Sequence, residues 1–138
     1  MTTATAEPPE VFDSRDLTIP ADLSHLARAR AFAEAAAADF GFPAEVRYQV
    51  KLALSEAVGN AIKHGSTASD DSISLMAAAE GRALVFRVVD TGRFVPPPDP
   101  TDDLPESGRG LEFMAQLMDE VEVMPSSGGT VMRLAKRR

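Results

Sequence analysis

The sequence predicts an α+β fold, a two-layer sandwich in which a mixed, mostly antiparallel sheet carries helices on one face. Three observations predict it. A long stretch at 44–64 repeats apolar side chains at three- and four-residue spacing, the period of an amphipathic helix. Short runs elsewhere alternate apolar and polar residues, the period of a half-buried strand. The later runs form two pairs, each flanking a turn that contains glycine, which makes antiparallel neighbours.

Residues 1–14, rich in Thr, Ala, Pro and Glu, read as a disordered tail, and 15–138 as a single domain. RDLTIP at 15–20 alternates charged and apolar side chains up to Pro20 and reads as a strand. A first helix is expected over 24–40, with Asp22 or Ser24 as its cap and Gly41 as its stop. A second is expected over 44–64, because Pro43 suits a helix entry and Gly65 a helix end. Its buried stripe is Val46, Val50, Ala53, Leu54, Ala57 and Ala61. Strands follow at 73–80 and 83–90 around the Gly81–Arg82 turn. Between 91 and 108 the pattern breaks, and half of the ten prolines fall there; a loop this long is usually a lid, a binding loop or a disordered segment. A short helix over 109–118 precedes strands at 120–125 and 130–136, which pair across SSGG.

A chain of 138 residues suits one domain, typically about 100–200 residues. Hydrophobic residues make up 44% and charged residues 25%, which argues against a wholly disordered chain. No apolar run approaches the roughly 20 residues of a membrane helix. Fourteen basic against twenty-one acidic residues leave a net charge of −7, which argues against a broad nucleic-acid-binding face. There is no cysteine, so disulfides, thiol nucleophiles and cysteine-ligated zinc are excluded, and a reducing cytoplasm fits. The N-terminal segment has neither the basic nor the apolar region of a secretory signal.

Four stretches carry chemistry. In SEAVGNAIKHG (55–65), Glu56, Asn60 and Lys63 fall on one side of a helix at about 100° per residue. Glu56 suits general-base work, and Asn60 offers an oxygen ligand for Mg²⁺. The plain alternative is a solvated helix face. In VVDTG (88–92), Asp90 ends an apolar strand and can accept a hydrogen bond from an exocyclic amine, while Gly92 lets a flat base approach the backbone. An ordinary strand-to-turn junction reads the same way. SGRGLEFM (107–114) is a glycine-bracketed turn opening a helix, where free N–H groups suit phosphate; Gly108, Arg109 and Gly110 stand in it. In SSGGTVMRL (126–134) the glycines fit a hairpin, and Thr130 offers a hydroxyl.

In this order and at these distances, the four stretches resemble the ATP-binding boxes of the gyrase, histidine kinase and MutL superfamily. The match is strongest to its small single-domain branch, the anti-sigma-factor serine/threonine kinases, and it runs over 15–136. The resemblance implies a histidine-kinase-like ATPase fold with ATP and Mg²⁺ as cofactors. It implies Glu56 as general base toward a partner's hydroxyl and Asn60 as the Mg²⁺ ligand bridging the phosphates. Asp90 matches the acid that reads the adenine amine, and Gly92 the glycine beside the base. Gly108 and Gly110 match the phosphate-facing glycines, and Thr130 a hydroxyl at the adenine end. Lys63 matches a residue of the first box.

The resemblance further implies partner switching between a sigma factor and a STAS-type anti-anti-sigma protein, in the cytoplasm, by a homodimer. The chain departs from the branch at Glu106, where an arginine often precedes the loop serine; Arg109 and Lys63 are the nearby cations. A nucleotide-gated regulatory binding module without kinase activity is therefore the second reading. A histidine kinase catalytic domain acting in trans is the third.

Overall fold

A computed structural model of the chain describes residues 12–65, 71–90, 105–126 and 129–138. The alternating runs become five strands of one sheet: β1 (Arg15–Pro20), β2 (Ser72–Glu80), β3 (Ala83–Asp90), β4 (Glu120–Ser126) and β5 (Gly129–Arg137). The spatial order is β1-β2-β3-β5-β4, and every pairing is antiparallel. The sheet expected to be mostly antiparallel thus contains no parallel pair among the described strands.

Register explains the burial. Ile19, Ile73, Asp90 and Thr130 form one row across four strands, and Leu17, Leu75, Val88, Met132 and Val123 form the next across five. Side chains alternate faces along a strand, so both rows point to one side. There they meet the helices. α1 (Leu26–Phe40) and α2 (Ala44–Asn60) pack on each other, and α3 (Pro105–Leu117) packs on α2 and β4. Ala29, Ala33, Ala36 and Ala37 of α1 and Ala53 and Ala57 of α2 are all buried, and side chains this small allow close helix approach. Phe86, Ile73, Leu75, Leu84, Leu134, Val50, Leu54 and Val58 supply the bulk of the core.

The helix ends follow their sequence signals, with two differences. A 3₁₀ turn at Leu23–His25 precedes α1, and the Asp22 carboxylate caps it by accepting from the Ser24 N–H at 2.9 Å. Gly41 ends α1 with φ +97°, a conformation that favours glycine. Helix two does not stay α-helical to residue 64: α2 ends at Asn60, and Ala61–Gly65 forms a π turn that lies against β3. Phe12, within the expected tail, sets its ring edge-on against Phe40 at 5.7 Å between centroids. Residues 1–11 of that expected tail lie outside the described residues.

Gly59 sits inside α2, and a methyl group built on it meets no atom of the described residues within 4 Å beyond its own helix backbone. Alanine exceeds glycine in helix propensity by about 1 kcal/mol. Gly59→Ala is expected to raise the melting temperature by roughly 3–5 °C in a thermal unfolding scan. A lower melting temperature would show that the space is used.

The far face of the sheet carries charges. Arg133 bonds Glu120 at 2.7 Å and Glu80 at 3.3 Å, Arg87 bonds Glu80 at 3.2 Å, and Arg137 bonds Glu120 at 2.7 Å. Hydrogen bonds from Arg87 and then Arg133 hold the Glu80 carboxyl below its usual range, and Arg133 does the same for Glu120. Both carboxyls are depressed in the folded state. The stability they add is present above their ordinary titration range and is lost as pH falls through the lowered folded values. Each pair alone is worth little in water. Melts between pH 6 and pH 3 should therefore show a shallower acid decline for Arg133→Gln than for the wild type. Parallel curves would mean that the network contributes nothing measurable.

Candidate functional site

Glu56 and Asn60 stand one turn apart on α2, each half-buried. α3 lies directly over both. A Cβ built on Gly110 would sit 2.7 Å from Glu56 Oε2 and 3.1 Å from Asn60 Nδ2. No room is therefore left for a side chain at 110 between α3 and the carboxylate and amide.

The structure corrects the start of this helix. It begins at Pro105, not near 109, so Gly108 and Gly110 lie inside α3 and not in a turn ahead of it. The physical reason is at the N-terminus: proline suits the first helical position, and Glu106 favours the positive end of the helix dipole. Gly108 is the fourth residue of α3, past the positions whose N–H groups lack an intrahelical acceptor. Arg109 follows it in α3, and the placement of its side chain lies outside what is described. Lys63, expected beside Glu56 and Asn60, is exposed in the π turn. A π turn winds less per residue than an α turn, so side chains past Asn60 depart from the α-helical alignment.

At the end of the sheet, Asp90 closes β3 opposite Thr130 of β5, with Ile73 of β2 on its other side. Asp90 is 4% exposed and Thr130 6%, and they are the two buried polar residues among the described ones. Buried polar groups are informative where buried apolar ones are not. Thr130 Oγ1 has no hydrogen-bond partner among the described residues. Leaving such a hydroxyl unmatched costs about 1–3 kcal/mol, so a ligand edge with a complementary polar group fits here. Gly92 lies outside the described residues.

The donor set also fits a hard cation. Glu56 and Asn60 offer a carboxylate and an amide oxygen, and Mg²⁺ is commonly held by one or two protein oxygens with phosphates and water completing its shell. No group of three or more His, Cys, Asp or Glu that could form an all-protein cage occurs among the described residues. The contact of Gly110 with Glu56 and Asn60 had no sequence signal, because it joins helices separated by two strands. The Ile73 flank of Asp90 follows only from strand register.

Comparison with known proteins shows the family. The family profile described as Histidine kinase-like ATPase domain matches residues 19–136. Serine-protein kinase RsbW of Bacillus thuringiensis (strain Al Hakam) is 30% identical over 135 positions, covering 89% of this chain and 84% of that protein. The protein of the same name from Bacillus mycoides (strain KBAB4) is 28% identical over 137 positions with the same coverage. The crystal structure of the RsbU and RsbW domains of Rv1364c from Mycobacterium tuberculosis superposes with a TM-score of 0.71 at 25% identity. That match takes in 91% of this chain and 32% of the solved chain, so this chain spans about a third of its length. The histidine kinase domain of the Erythrobacter litoralis EL346 blue-light activated histidine kinase has a TM-score of 0.58 at 20% identity, over 86% of this chain and 61% of that one, and shares the fold. With the profile spanning nearly all of the domain and serine-protein kinases among its relatives, the chain belongs to the histidine kinase-like ATPase domain family, on its serine-protein kinase branch.

Proposed function

We propose that this protein is an ATP- and Mg²⁺-dependent serine/threonine kinase that acts as a cytoplasmic anti-sigma factor. Its phosphoacceptor is a STAS-type anti-anti-sigma protein, its second partner is a sigma factor, and its working form is a homodimer. The observations that carry the reading are the pairing of Glu56 with Asn60 beneath α3 and the sheet end that buries Asp90 and Thr130. The names of the relatives support the serine kinase. No helix among the described residues is long and apolar enough to cross a membrane.

The roles divide along the site. Asp90 and Thr130 hold the adenine edge, with Gly92 beside the base. Asn60 supplies an oxygen for Mg²⁺. Gly108, Arg109 and Lys63 serve the phosphates. Mg²⁺ neutralises phosphate charge when bound. Glu56 takes the proton from the acceptor hydroxyl as its oxygen bonds the γ-phosphorus, the bond to the β-phosphate oxygen breaks, and ADP leaves.

Labelled γ-phosphate from Mg²⁺·ATP, incubated with the protein and a lysate of the source organism, is expected to appear on one small protein as an acid-stable ester. Label that is acid-labile would point to a histidine acceptor and refute the reading. Glu106, in the place of an expected arginine, favours the second reading, a nucleotide-gated binding module. That reading requires ATP binding with no transfer to a purified STAS partner.

A further inference from the structure

We propose that Gly110 is a positioning residue for phosphoryl transfer: its missing side chain lets α3 press on Glu56 and Asn60 and so fixes both groups. This inference rests on the kinase reading above, and it assigns to Gly110 a task distinct from contact with phosphate.

The steric case is direct. Oε2 of Glu56 lies 2.7 Å from where a Cβ would stand, and Asn60 Nδ2 lies 3.1 Å from it. The first distance is shorter than real Cβ contacts show, so any side chain at 110 displaces something. What yields is decided by the anchoring of α3. Met114 and Met118 follow Gly110 at i+4 and i+8, on the same side of the helix and its extension, and both are buried in the core. Glu56 and Asn60 are held less firmly, since each is half-buried and meets Gly110 through the end of its side chain. The helix stays and the two functional groups move.

Glycine is also a poor helix former, so local stability gives no reason for it inside α3. Contact with Glu56 and Asn60 does. A misplacement of about 1 Å at a reacting group costs on the order of 10²-fold in rate. Gly110 thus sets the reach of the base through steric contact, without touching the reacting atoms.

The test compares wild type, Gly110→Ala, Glu56→Asp and the double variant. Gly110→Ala is expected to keep or raise the melting temperature and to leave ADP affinity, measured without Mg²⁺, within about 3-fold, because the adenine end lies elsewhere. Its transfer rate should fall on the order of 10²-fold. Glu56→Asp should slow the wild type but speed Gly110→Ala, since a carboxylate one methylene shorter escapes the new methyl group. That reversal of sign is what a purely structural glycine does not produce.

Equal transfer by Gly110→Ala and wild type would overturn the proposal. So would a loss of ADP affinity as large as the loss of rate, which would place Gly110 in the nucleotide surface. A wild type that transfers no phosphate would refute the kinase reading alone. Positioning is then read from the Asn60 side-chain amide and Glu56 carboxyl NMR signals: displacement in Gly110→Ala with core signals unmoved supports it, and unmoved site signals overturn it.

Discussion

Glu56→Gln is expected to lower phosphoryl transfer by about 10²–10⁴-fold while changing ATP affinity by no more than about 3-fold. Glutamine keeps the size and reach of glutamate, so the contact with Gly110 survives and α3 has no reason to move. What is lost is the capacity to accept a proton from the acceptor hydroxyl. Single-turnover transfer to a purified STAS partner, with binding measured by calorimetry, separates the two quantities. A variant that binds ATP and transfers at the wild-type rate would remove Glu56 from the chemistry. A variant that no longer binds would make it part of the metal site.

The second large effect is expected at the other end of the site. Asp90→Asn should weaken ATP binding by about 10–100-fold, because a hydrogen bond to a charged acceptor is worth about 1.5–3 kcal/mol. Asp90 is 4% exposed, so little water competes for its carboxylate. Asparagine is nearly isosteric, and it carries a donor as well as an acceptor. The transfer rate at saturating ATP should stay close to that of the wild type, since the reacting atoms lie toward Glu56. Calorimetric titration with ATP checks this. Unchanged affinity would mean that the base is held elsewhere.

Much of the fold was legible because the relevant signals are local. Alternating runs mark three of the five strands, apolar runs around the Gly81–Arg82 turn mark the other two, and Gly41 and Pro43 mark the break between the first two helices. Glu56, Asn60, Asp90 and Thr130 stand out in the sequence by residue chemistry and by the resemblance of their stretches to the family's boxes. Three features were not legible. The π turn after Asn60 leaves Lys63 exposed, and no residue of AIKHG announces it. The start of α3 at Pro105 was masked by two glycines that argue against helix, although proline and an acid favour one. Phe12 sits in a tail-like composition, yet it packs on Phe40 while the Arg15 guanidinium covers its ring at 4.4 Å. Each is decided by tertiary contacts that a window of sequence does not contain.

The strand order has a kinetic consequence. β2 with β3 and β4 with β5 are hairpins of neighbours in sequence, but β3 pairs with β5 only across α3 and the long connection before it. Hairpins form in about 1–10 μs, whereas joining distant strands must first overcome the entropy of closing the chain between them. The seam between β3 and β5 is therefore a late step in folding, and Asp90 faces Thr130 across it. A nucleotide that touches both residues recognises only chains in which that step is complete. Its presence would slow unfolding and leave the initial hairpins unaffected.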